Sequence, residues 1–508
     1  MSSRAFPDAH ADVDPDRLAL VVEPSGVSVT FGELVAASRH AGRVLREEGC
    51  RRADTVAVLM ENRAEFLTAT WAAQRSGLRY TAIPTRLTAP EVGYILGDSG
   101  ARAIFTSTAC ADLVRDALEH APGVRLRLCV DGAPEGFKEL RAFDVPSLPL
   151  EDEVEGVDML YSSGTTGRPK GVEAELAFAP LGTPPGVVRL LQQKWGIVEG
   201  SVYLSPAPLY HSAPMRFTMA MQRVGALAVV MERFDALQAL ELIERHRVTH
   251  SQMVPTMLIR LLKLPEEQRR AFDLSSLQIL IHAAAACPPE VKVALIDWLG
   301  PVVHEYYSAT ENNLLTVIGP EEALLRPGSV GRALVGTPRI LDEAGEELPP
   351  GEVGTIWSEG GQAFVYHNDP EKTAGSRNDQ GWTTVGDVGY LDPDGYLYLS
   401  DRRADLIITG GVNVYPREAE DALVTHPNVA DVAVFGIPDD ELGQVVFAVV
   451  QPEEDVEPGD ELEAELLAFL HGKMARFKCP RRIDFRKELP RSPTGKLYKR
   501  LLREEYAA

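Results

Sequence analysis

The most constraining feature of this sequence is the alternation of short apolar runs with helix-length amphipathic segments through its first 300 residues. The runs form two series, at residues 55–60, 80–83, 103–105 and 126–130, and at residues 202–205, 226–231, 248–254, 277–282 and 302–307. Such runs are typical of buried strands, and the segments between them, such as residues 88–96 with Thr88 and Glu91 in a capping-box pattern, are typical of helices. Strands that alternate with helices form parallel sheets covered on both faces. The predicted fold class is α/β, with two helix-covered sheets.

The sequence changes character from about Pro327, where Gly, Pro and Asp become frequent. Turn signals such as residues 392–395 (DPDG) separate short strands expected at residues 354–358, 381–388 and 396–400. This pattern predicts a small β-rich subdomain, antiparallel or barrel-like. Beyond Ser400 the tail favours a small α+β domain, with helices at residues 418–425 and 461–474 and strands at 429–434 and 445–451. We therefore expect a large N-terminal domain over residues 1–400 and a C-terminal domain over residues 405–508.

Length and charge narrow the classes of partner. A chain of 508 residues is too long for one ordinary core. Its formal charge of −23 argues against nucleic acid or an anionic membrane as a partner, because both would be repelled. No apolar run reaches the ~18 residues that span a bilayer, so no membrane insertion is expected. The polar, acidic N-terminus and five widely separated cysteines favour a cytoplasmic protein.

The stretch YSSGTTGRPKG, residues 161–171, combines three glycines with hydroxyl and basic side chains. Glycines allow a backbone to approach a ligand closely, and successive N–H groups in such a turn form an anion nest. Arg168 and Lys170 add positive charge to this loop in an otherwise acidic chain. The loop is neither a Walker A motif nor a GxGxxG motif. It favours polyphosphate binding over the alternative of a solvated connector.

This loop resembles the phosphate-binding loop of the AMP-forming acyl-adenylate enzymes, which include acyl-CoA synthetases, luciferase and adenylation domains. Further blocks of that family follow in order along nearly the whole chain. They are PLYH (208–211), YYSATE (306–311), GDVGYLDPDGYLYLSDR (386–402), ITGGVNVYPREAE (408–420) and PRSPTGK (490–496). Segments 282–288 and 367–374 are similar to bacterial fatty-acyl and bile-acid-type CoA ligases.

The resemblance implies a nucleotide site and its ligands. The metal would be Mg²⁺, bound by Glu311 and Thr166, which are also expected to act in catalysis. Asp387 would accept hydrogen bonds from the ribose, Tyr307 would lie against adenine, and an alanine run over residues 283–286 would be the adenine platform, unless it is merely packed in a core. The full set implied for ATP or AMP is Ser162, Ser163, Gly164, Thr165, Thr166, Gly167, Arg168, Lys170, Ala284, Ala285, Glu305, Tyr306, Tyr307, Ser308, Thr310, Asp387, Arg402 and Lys496.

The resemblance also implies a two-step reaction. Attack of a carboxylate on the α-phosphate brings two anions together, at a cost of roughly 4 kcal/mol for a close charge pair. Lys496 would offset this repulsion, although a lysine near the C-terminus is by itself ordinary surface decoration. The acyl group would then pass to CoA along Gly410 and Gly411, after the small domain swings about a hinge at residues 401–404, between Asp401 and Ala404. His211 would gate the acyl pocket beside Tyr210, unless it is an ordinary packed histidine.

Departures from the family pattern bear on the substrate. Where near relatives carry glycines, this chain has Ala309, Asn312 and Leu314, which we expect to narrow the acyl pocket. Because one methylene changes discrimination by roughly 1–3 kcal/mol, we expect a short or planar aromatic acid. Gln444 and Phe447 stand where relatives often carry acidic and lysine residues. If that lysine helps to bind CoA, this chain binds CoA less well.

Three hypotheses stay open: an acid–CoA ligase using ATP, Mg²⁺ and CoA; an adenylating enzyme with another acceptor or oxyacid, such as a nitrite-dependent diazotase; and a catalytically silent nucleotide-binding relative. The expected partners are the acid, ATP and CoA. A homodimer is left open.

Overall fold

The computed structural model describes residues 5–143, 145–146, 148–162, 169–285, 287–402, 405–409, 412–439, 442–491 and 497–506, with backbone alone for 401, 402 and 413. The strands are β1 Leu18–Glu23, β2 Val27–Thr30, β3 Thr55–Leu59, β4 Arg79–Ala82, β5 Ala101–Thr106, β6 Leu126–Cys129, β7 Lys138–Glu139, β8 Val157–Asp158, β9 Leu160–Ser162, β10 Lys170–Glu173, β11 Val202–Ser205, β12 Leu227–Met231, β13 His250–Met253, β14 Ile279–His282, β15 Val303–Ser308, β16 Leu315–Ile318, β17 Ser329–Val335, β18 Thr337–Leu341, β19 Gly354–Glu359, β20 Val365–Tyr366, β21 Asp387–Leu391, β22 Leu397–Arg402, β23 Ile407–Thr409, β24 Val412–Val414, β25 Val429–Asp439, β26 Gly443–Pro452 and β27 Arg482–Phe485. The helices are α1 Pro7–Ala11, α2 Phe31–Glu47, α3 Ala64–Arg75, α4 Ala89–Asp98, α5 Ala111–Ala117, α6 Gly186–Trp195, α7 Ser212–Val224, α8 Ala236–Arg245, α9 Pro255–Lys263, α10 Glu266–Arg269, α11 Pro289–Leu299, α12 Pro320–Leu325, α13 Pro370–Gly375, α14 Pro416–Leu423, α15 Asp460–His471 and α16 Lys499–Tyr506.

The chain divides into two compact units. The first contains Met1–Met253, Glu266–Ile281 and Ala363–Ala374, and the second contains Val254–Pro265, His282–Gln362 and Gly375–Ala508. These units are not the predicted domains, because the second combines the tail with earlier segments. The predicted boundary within residues 401–404 stays a prediction.

The first sheet of the first unit has the strand order β7-β6-β5-β3-β4-β8, and its strand pairs are parallel. Helix α4 begins as predicted, since the Thr88 N–H donates to the Glu91 carboxylate at 2.8 Å. The first predicted series of buried strands is therefore confirmed, with end points shifted by one or two residues.

The second sheet of the first unit has the order β14-β13-β11-β12-β1-β2. The pairs among β13, β11, β12 and β1 are parallel, whereas β1 and β2 form an antiparallel hairpin. The hairpin was not predicted, because its two runs are not separated by a helix-length segment. Helix α7 follows β11 and crosses back to β12, so its first turn lies near the carboxyl ends of the parallel strands.

A small antiparallel sheet, β20-β10-β9, also belongs to the first unit. Ser162 at the end of β9 lies opposite Lys170 at the start of β10. The pairing brings together the two ends of the glycine-rich loop.

The β-rich part of the second unit has the order β18-β19-β21-β22-β17-β16-β15, and its neighbouring strands are antiparallel. The predicted strand at residues 381–388 is wrong over most of its length, since β21 begins at Asp387. Gly381 and Gly386 have φ values of 80° and 86°, which turn the chain before the strand starts.

The tail of the second unit contains the sheet β24-β23-β26-β25, with β27 parallel to β26. Helices α14 and α15 pack their buried leucines against it, including Leu423, Leu466 and Leu470. The predicted α+β tail is confirmed. Over the part of the chain that the structure describes, we find no helix of the length and apolarity needed to cross a membrane.

Candidate functional site

The glycine-rich loop is attached to a well-defined hairpin in the first unit. Ser162 and Lys170 are paired across β9 and β10, and the Lys170 ammonium lies 5.5 Å from the centre of the Tyr366 ring. The other predicted cradle residues, Ser163, Gly164, Thr165, Thr166, Gly167 and Arg168, lie outside the described residues. Their roles stay predictions.

Gly171 shows why the hairpin needs a residue without a side chain. A Cβ at this position would lie 3.0 Å from the His367 Cβ and 3.1 Å from Cζ of Tyr161. The His367 N–H donates to the Gly171 carbonyl at 2.8 Å, and its ring nitrogens lie 3.2 Å from a Glu173 carboxylate oxygen and 3.0 Å from the Asp98 carbonyl. His367 therefore supports the base of the loop. Sequence reasoning placed His367 only within a family segment.

The central observation in the second unit joins two predicted nucleotide residues. The Tyr307 hydroxyl, near the end of β15, donates to Oδ2 of Asp387, the first residue of β21, at 2.7 Å. Asp387 is 9% exposed. The hydrogen bond orients the carboxylate and occupies one of its two oxygens. Residues that are 80 positions apart in the sequence are thus in contact, and their roles in nucleotide binding stay predictions.

Glu311 lies in the turn after β15 and is 8% exposed. A carboxylate is the hard oxygen ligand that Mg²⁺ prefers, and Mg²⁺ commonly takes one or two carboxylates together with phosphate oxygens and waters. Among the described residues, no cluster of three or more His, Cys, Asp or Glu side chains could enclose a metal ion. The Glu311 carboxylate fits the predicted role of Mg²⁺ ligand, which stays a prediction, and Thr166, the other predicted ligand, lies outside the described residues.

Two hydrogen bonds fix the backbone of the segment that follows Glu311. Ser308 donates to the Leu314 carbonyl at 2.8 Å, and the Ser358 hydroxyl donates to the Asn313 carbonyl at 2.6 Å. Asn312 has φ of 53°, a left-handed conformation that asparagine tolerates better than most residues. Ala309 is half-buried.

Leu314 packs in an apolar cluster with Val330, Ile340, Ile356 and Leu397. This gives its side chain a role in the core of the β-rich part. Its assignment to the acyl pocket, with those of Ala309 and Asn312, stays a prediction.

The predicted adenine platform follows β14. Ala283 is buried, whereas Ala284 and Ala285 are exposed, and Ala284 has φ of 74°. An L-residue in this region is strained, and such strain is concentrated at functional sites. The alternative of a core-packed alanine run therefore fails for Ala284 and Ala285.

Glu305 lies in a buried charge cluster. Its carboxylate contacts the Lys292 ammonium at 2.6 Å, and Lys292 also donates to the Ser329 carbonyl at 3.1 Å. His282 is fully buried 3.8 Å from the other Glu305 oxygen, and burial lowers the pKa of His282 to about 4. The Glu305 carboxylate is thus held by Lys292, so nucleotide binding by Glu305 stays a prediction.

Sequence reasoning missed Lys292. The signal was available, because Lys292 shares the buried stripe of α11 with Leu295 and Ile296. A lysine in such a stripe requires a buried anionic partner.

His211 and Tyr210 stand at the start of α7 in the first unit. Their ring centroids are 4.5 Å apart at 80°, and the His211 carbonyl accepts the Met215 N–H at 3.1 Å. Burial raises the pKa of Tyr210. The pair therefore occupies the carboxyl-end side of the parallel sheet, where ligands of α/β proteins bind.

Predicted residues of the tail are described in part. Strands β23 and β24 pair Thr409 with Val412. The predicted CoA-passage residues Gly410 and Gly411 lie outside the described residues, and their role stays a prediction. Lys496 and Ala404 also lie outside, as do the side chains of Asp401 and Arg402. An antiparallel bridge between Arg491 and Leu497 brackets the Lys496 segment.

Gln444 and Phe447, where the sequence departs from the family pattern, have structural roles. The Gln444 carboxamide oxygen accepts the Ile408 N–H at 3.1 Å. Phe447 packs with Phe435 and Tyr506. These contacts give Gln444 and Phe447 structural roles that do not require a ligand.

Comparison with protein families decides the assignment. A family model for the AMP-binding enzymes matches residues 7–365, and one for the AMP-binding enzyme C-terminal domain matches residues 418–496. The chain belongs to the AMP-binding enzyme family.

Relatives within this family align over nearly the whole chain. The long-chain-fatty-acid–CoA ligase FadD13 of Mycobacterium tuberculosis is 32% identical and aligns with 98% of this chain and 97% of its own. A 2-succinylbenzoate–CoA ligase of Geobacillus kaustophilus is 33% identical, covering 99% and 96%.

Solved structures of the AMP-binding enzyme family agree with this placement. ATP-bound MatB from Rhodopseudomonas palustris has a TM-score of 0.81 at 29% identity, with 99% of each chain covered. The amide bond synthetase McbA from Marinactinospora thermotolerans has a TM-score of 0.82 at 27% identity, with the same coverage. The predicted family, fold class and AMP-forming ligase class are confirmed.

Proposed function

We propose that this member of the AMP-binding enzyme family adenylates a short or planar aromatic carboxylic acid with ATP and Mg²⁺ and transfers the acyl group to CoA. The observation that carries the proposal is the Tyr307–Asp387 hydrogen bond, with the buried Glu311 in the same block of sequence. The names of both CoA ligases support CoA as the acceptor. The name of the 2-succinylbenzoate–CoA ligase supports an aromatic acid, whereas the name of FadD13 specifies a long-chain fatty acid.

The first half-reaction forms a mixed anhydride. A carboxylate oxygen attacks the α-phosphorus of ATP, the bond to the β-phosphate oxygen breaks, and pyrophosphate leaves. Asp387 holds the ribose, Tyr307 holds Asp387, and Lys496 lies between the two reacting anions. Glu311 would hold Mg²⁺, which would supply positive charge to neutralise the phosphates. Interactions of this kind lower the barrier because they act where negative charge collects.

The second half-reaction transfers the acyl group. The thiol sulfur attacks the carbonyl carbon, the carbon–oxygen bond to AMP breaks, and AMP leaves with that oxygen. Gly410 and Gly411 leave room for the narrow pantetheine chain, and rotation about residues 401–404 exchanges Lys496 for the glycine pair. Enzyme, acid and ATP act in the cytoplasm in this proposal.

The experiment that tests the proposal is pyrophosphate exchange into ATP with a panel of acids, followed by product mass with and without CoA. Acid-dependent exchange and an acyl-CoA product are expected. Absence of exchange with every acid and with nitrite would support the silent relative. A measured preference for palmitate over benzoate- or cinnamate-like acids would contradict the acid class.

The role of Lys496 is tested in the two half-reactions separately. Lys496→Ala should abolish exchange and leave transfer from a preformed acyl-adenylate largely intact. The neighbouring tail substitution Lys487→Ala is the matched control and should retain both steps. Equal loss of both steps in the Lys496 variant would refute its assigned role.

A second candidate differs in the acceptor or the oxyacid. The match to McbA, whose name describes an amide bond synthetase, favours including amines in the panel. Gln444 and Phe447, which stand where relatives often carry acidic and lysine residues, make contacts within the tail. An amide or diazo product formed without CoA would decide for this candidate.

A further inference from the structure

Gln252, in strand β13 of the first unit, carries a buried acceptor without a donor. The residue is 1% exposed, and none of the described residues donates a hydrogen bond to its side-chain oxygen Oε1. Its side-chain nitrogen is turned toward the Met253 carbonyl at 3.4 Å. If the Gln252 amide were flipped, its oxygen would face the Met253 carbonyl oxygen, and neither atom could donate a hydrogen bond. The observed orientation is therefore the correct one, and Oε1 is the atom without a donor.

Buried polar groups in native proteins almost always have partners, and each exception requires an explanation. Gln252 is not in an irregular loop, where such exceptions could arise from a poor fit. It lies in the third position of a strand that is buried along its full length. A donor from outside the described chain, either a ligand or a water, is therefore expected at Oε1.

The strand register shows which face Gln252 occupies. Tyr203 pairs with His250 and Leu204 with Ser251, so Ser205 and Gln252 come next to each other. Side chains alternate along a strand, so Gln252 shares the face of His250 and Tyr203. That face packs against α6 and α7, since His250 contacts the Trp195 carbonyl at 2.8 Å and the Tyr203 ring lies 6.4 Å from Phe217.

A second polar pair lies on the same face. The Thr218 hydroxyl of α7 donates to the Ser205 hydroxyl at 3.3 Å, at the carboxyl end of β11. Helix α7 begins directly after His211, the residue we expect to gate the acyl pocket. Ser205 and Gln252 therefore occupy neighbouring positions on the face of the sheet that α7 covers, near the carboxyl ends of the strands, where ligands of α/β proteins bind.

We infer that Gln252 is a specificity-determining residue of this ligase, and that its Oε1 accepts a hydrogen bond from an amino or hydroxyl group on the acid. The inference rests on the proposed function and refines the substrate to an acid that carries a hydrogen-bond donor away from its carboxylate. A site built to bond such a donor rejects the analogue that lacks it much more strongly than an apolar pocket distinguishes sizes.

The test uses matched acids in the exchange assay. Each set contains benzoates or cinnamates that differ only in one substituent at a fixed ring position, which is a hydroxyl, an amino or a methyl group. The three substituents differ little in size, and only the methyl group cannot donate a hydrogen bond. For wild-type protein we expect kcat/KM for the best hydroxyl or amino acid to exceed that of its methyl analogue by at least about 10-fold. This ratio needs no variant and therefore does not depend on how a substitution folds.

Gln252→Met keeps the length of the side chain and removes the acceptor. We expect it to reduce the donor-to-methyl ratio by about 10-fold or more while methyl acids still react. Ser251→Ala is the matched control, because Ser251 lies on the opposite face of the same strand and loses a hydrogen bond to the Leu204 carbonyl. It should retain the wild-type ratio.

Two results would overturn the inference while leaving the proposed function intact: wild-type protein that prefers methyl acids, or a Gln252→Met variant with the wild-type ratio, which would mean that Oε1 bonds only a water. Absence of exchange with every acid would overturn the inference together with the proposed function.

Discussion

The hydroxyl of Tyr307 orients the carboxylate of Asp387, which we expect to bind the ribose. The hydrogen bond from the Tyr307 hydroxyl to Oδ2 restricts rotation of the Asp387 carboxylate. An ordered acceptor binds better than a mobile one because less entropy is lost on binding. Phenylalanine at position 307 would keep an aromatic ring for adenine but lose this control.

We therefore predict that Tyr307→Phe raises KM for ATP by about 5- to 30-fold, equivalent to about 1–2 kcal/mol for a hydrogen bond to a charged group. The value of kcat should change much less. ATP-dependent exchange at saturating acid measures both. Tyr390→Phe, which removes a hydroxyl from the strand that contains Asp387, is the control, and an unchanged KM in the Tyr307 variant would contradict the assigned role.

Ala284 gives a stability prediction at the platform. Its φ of 74° is unfavourable for alanine and open to glycine, so Ala284→Gly should stabilise the fold by about 1 kcal/mol. At Ala285, where φ is not positive, the same change should destabilise by about 0.5–1 kcal/mol through added chain entropy. Urea denaturation of the two variants measures the difference, and equal signs would contradict the strain argument.

At the scale of elements, the neighbouring glycines Gly360 and Gly361 differ in how closely they approach the loop after Glu311. A Cβ at Gly361 would lie 1.6 Å from the Asn313 carbonyl oxygen, whereas one at Gly360 would meet nothing within 4 Å. Gly361 thus allows the segment after β19 to pack directly against the backbone at Asn313.

Gly361→Ala should displace that loop, lower stability by at least about 2 kcal/mol and change the ratio of kcat/KM between benzoates and cinnamates. Gly360→Ala is the matched control: its φ of 71° costs about 1 kcal/mol, and it should leave the acid ratio unchanged. Denaturation and exchange assays measure the two effects. Similar acid ratios in both variants would show that the loop does not line the acyl pocket.

His282, Glu305 and Lys292 form a buried cluster between β14, β15 and α11. The burial of His282 makes the free energy of unfolding depend on pH. Burial lowers the pKa of His282 from 6.5 to about 4, so only the unfolded chain binds its proton between those values. The contribution of His282 to stability is therefore intact above pH 6.5 and is lost as the pH falls toward 4, by up to about 3 kcal/mol.

We predict that His282→Phe makes the unfolding free energy fall less steeply between pH 6.5 and 4 than in wild-type protein. The comparison with wild-type protein isolates the contribution of the His282 ring, since this side chain is the one that changes. Denaturant unfolding at a series of pH values measures the two slopes. Identical slopes would mean that His282 is not buried as a neutral ring.

The sequence predicted the elements whose periodicity is local. The parallel strands, α4 and the tail domain follow from apolar spacing and capping residues, and the structure confirms them. The antiparallel β1–β2 hairpin was missed because a short turn, and no helix-length segment, separates its two runs. The true start of β21 was missed because it depends on the conformations of Gly381 and Gly386. The Lys292–Glu305 contact, likewise, depends on tertiary packing that local patterns do not encode.

At the scale of the whole molecule, the site predictions came mainly from family motifs. They named Tyr307, Asp387 and Glu311, and the structure brings the first two into contact. The motifs did not indicate Gln252, because an unpartnered buried oxygen is visible only after the neighbouring side chains are placed. The substrate therefore has to be inferred from packing, whereas the chemistry can be inferred from the motifs.

The central claim is that a carboxylate oxygen attacks the α-phosphate of ATP and remains on AMP. The most direct measurement supplies an accepted acid whose carboxylate is labelled with oxygen-18 and follows the label by mass spectrometry through a complete turnover with CoA. The account predicts AMP carrying one labelled oxygen and unlabelled pyrophosphate. Label in pyrophosphate or inorganic phosphate, or unlabelled AMP, would contradict it.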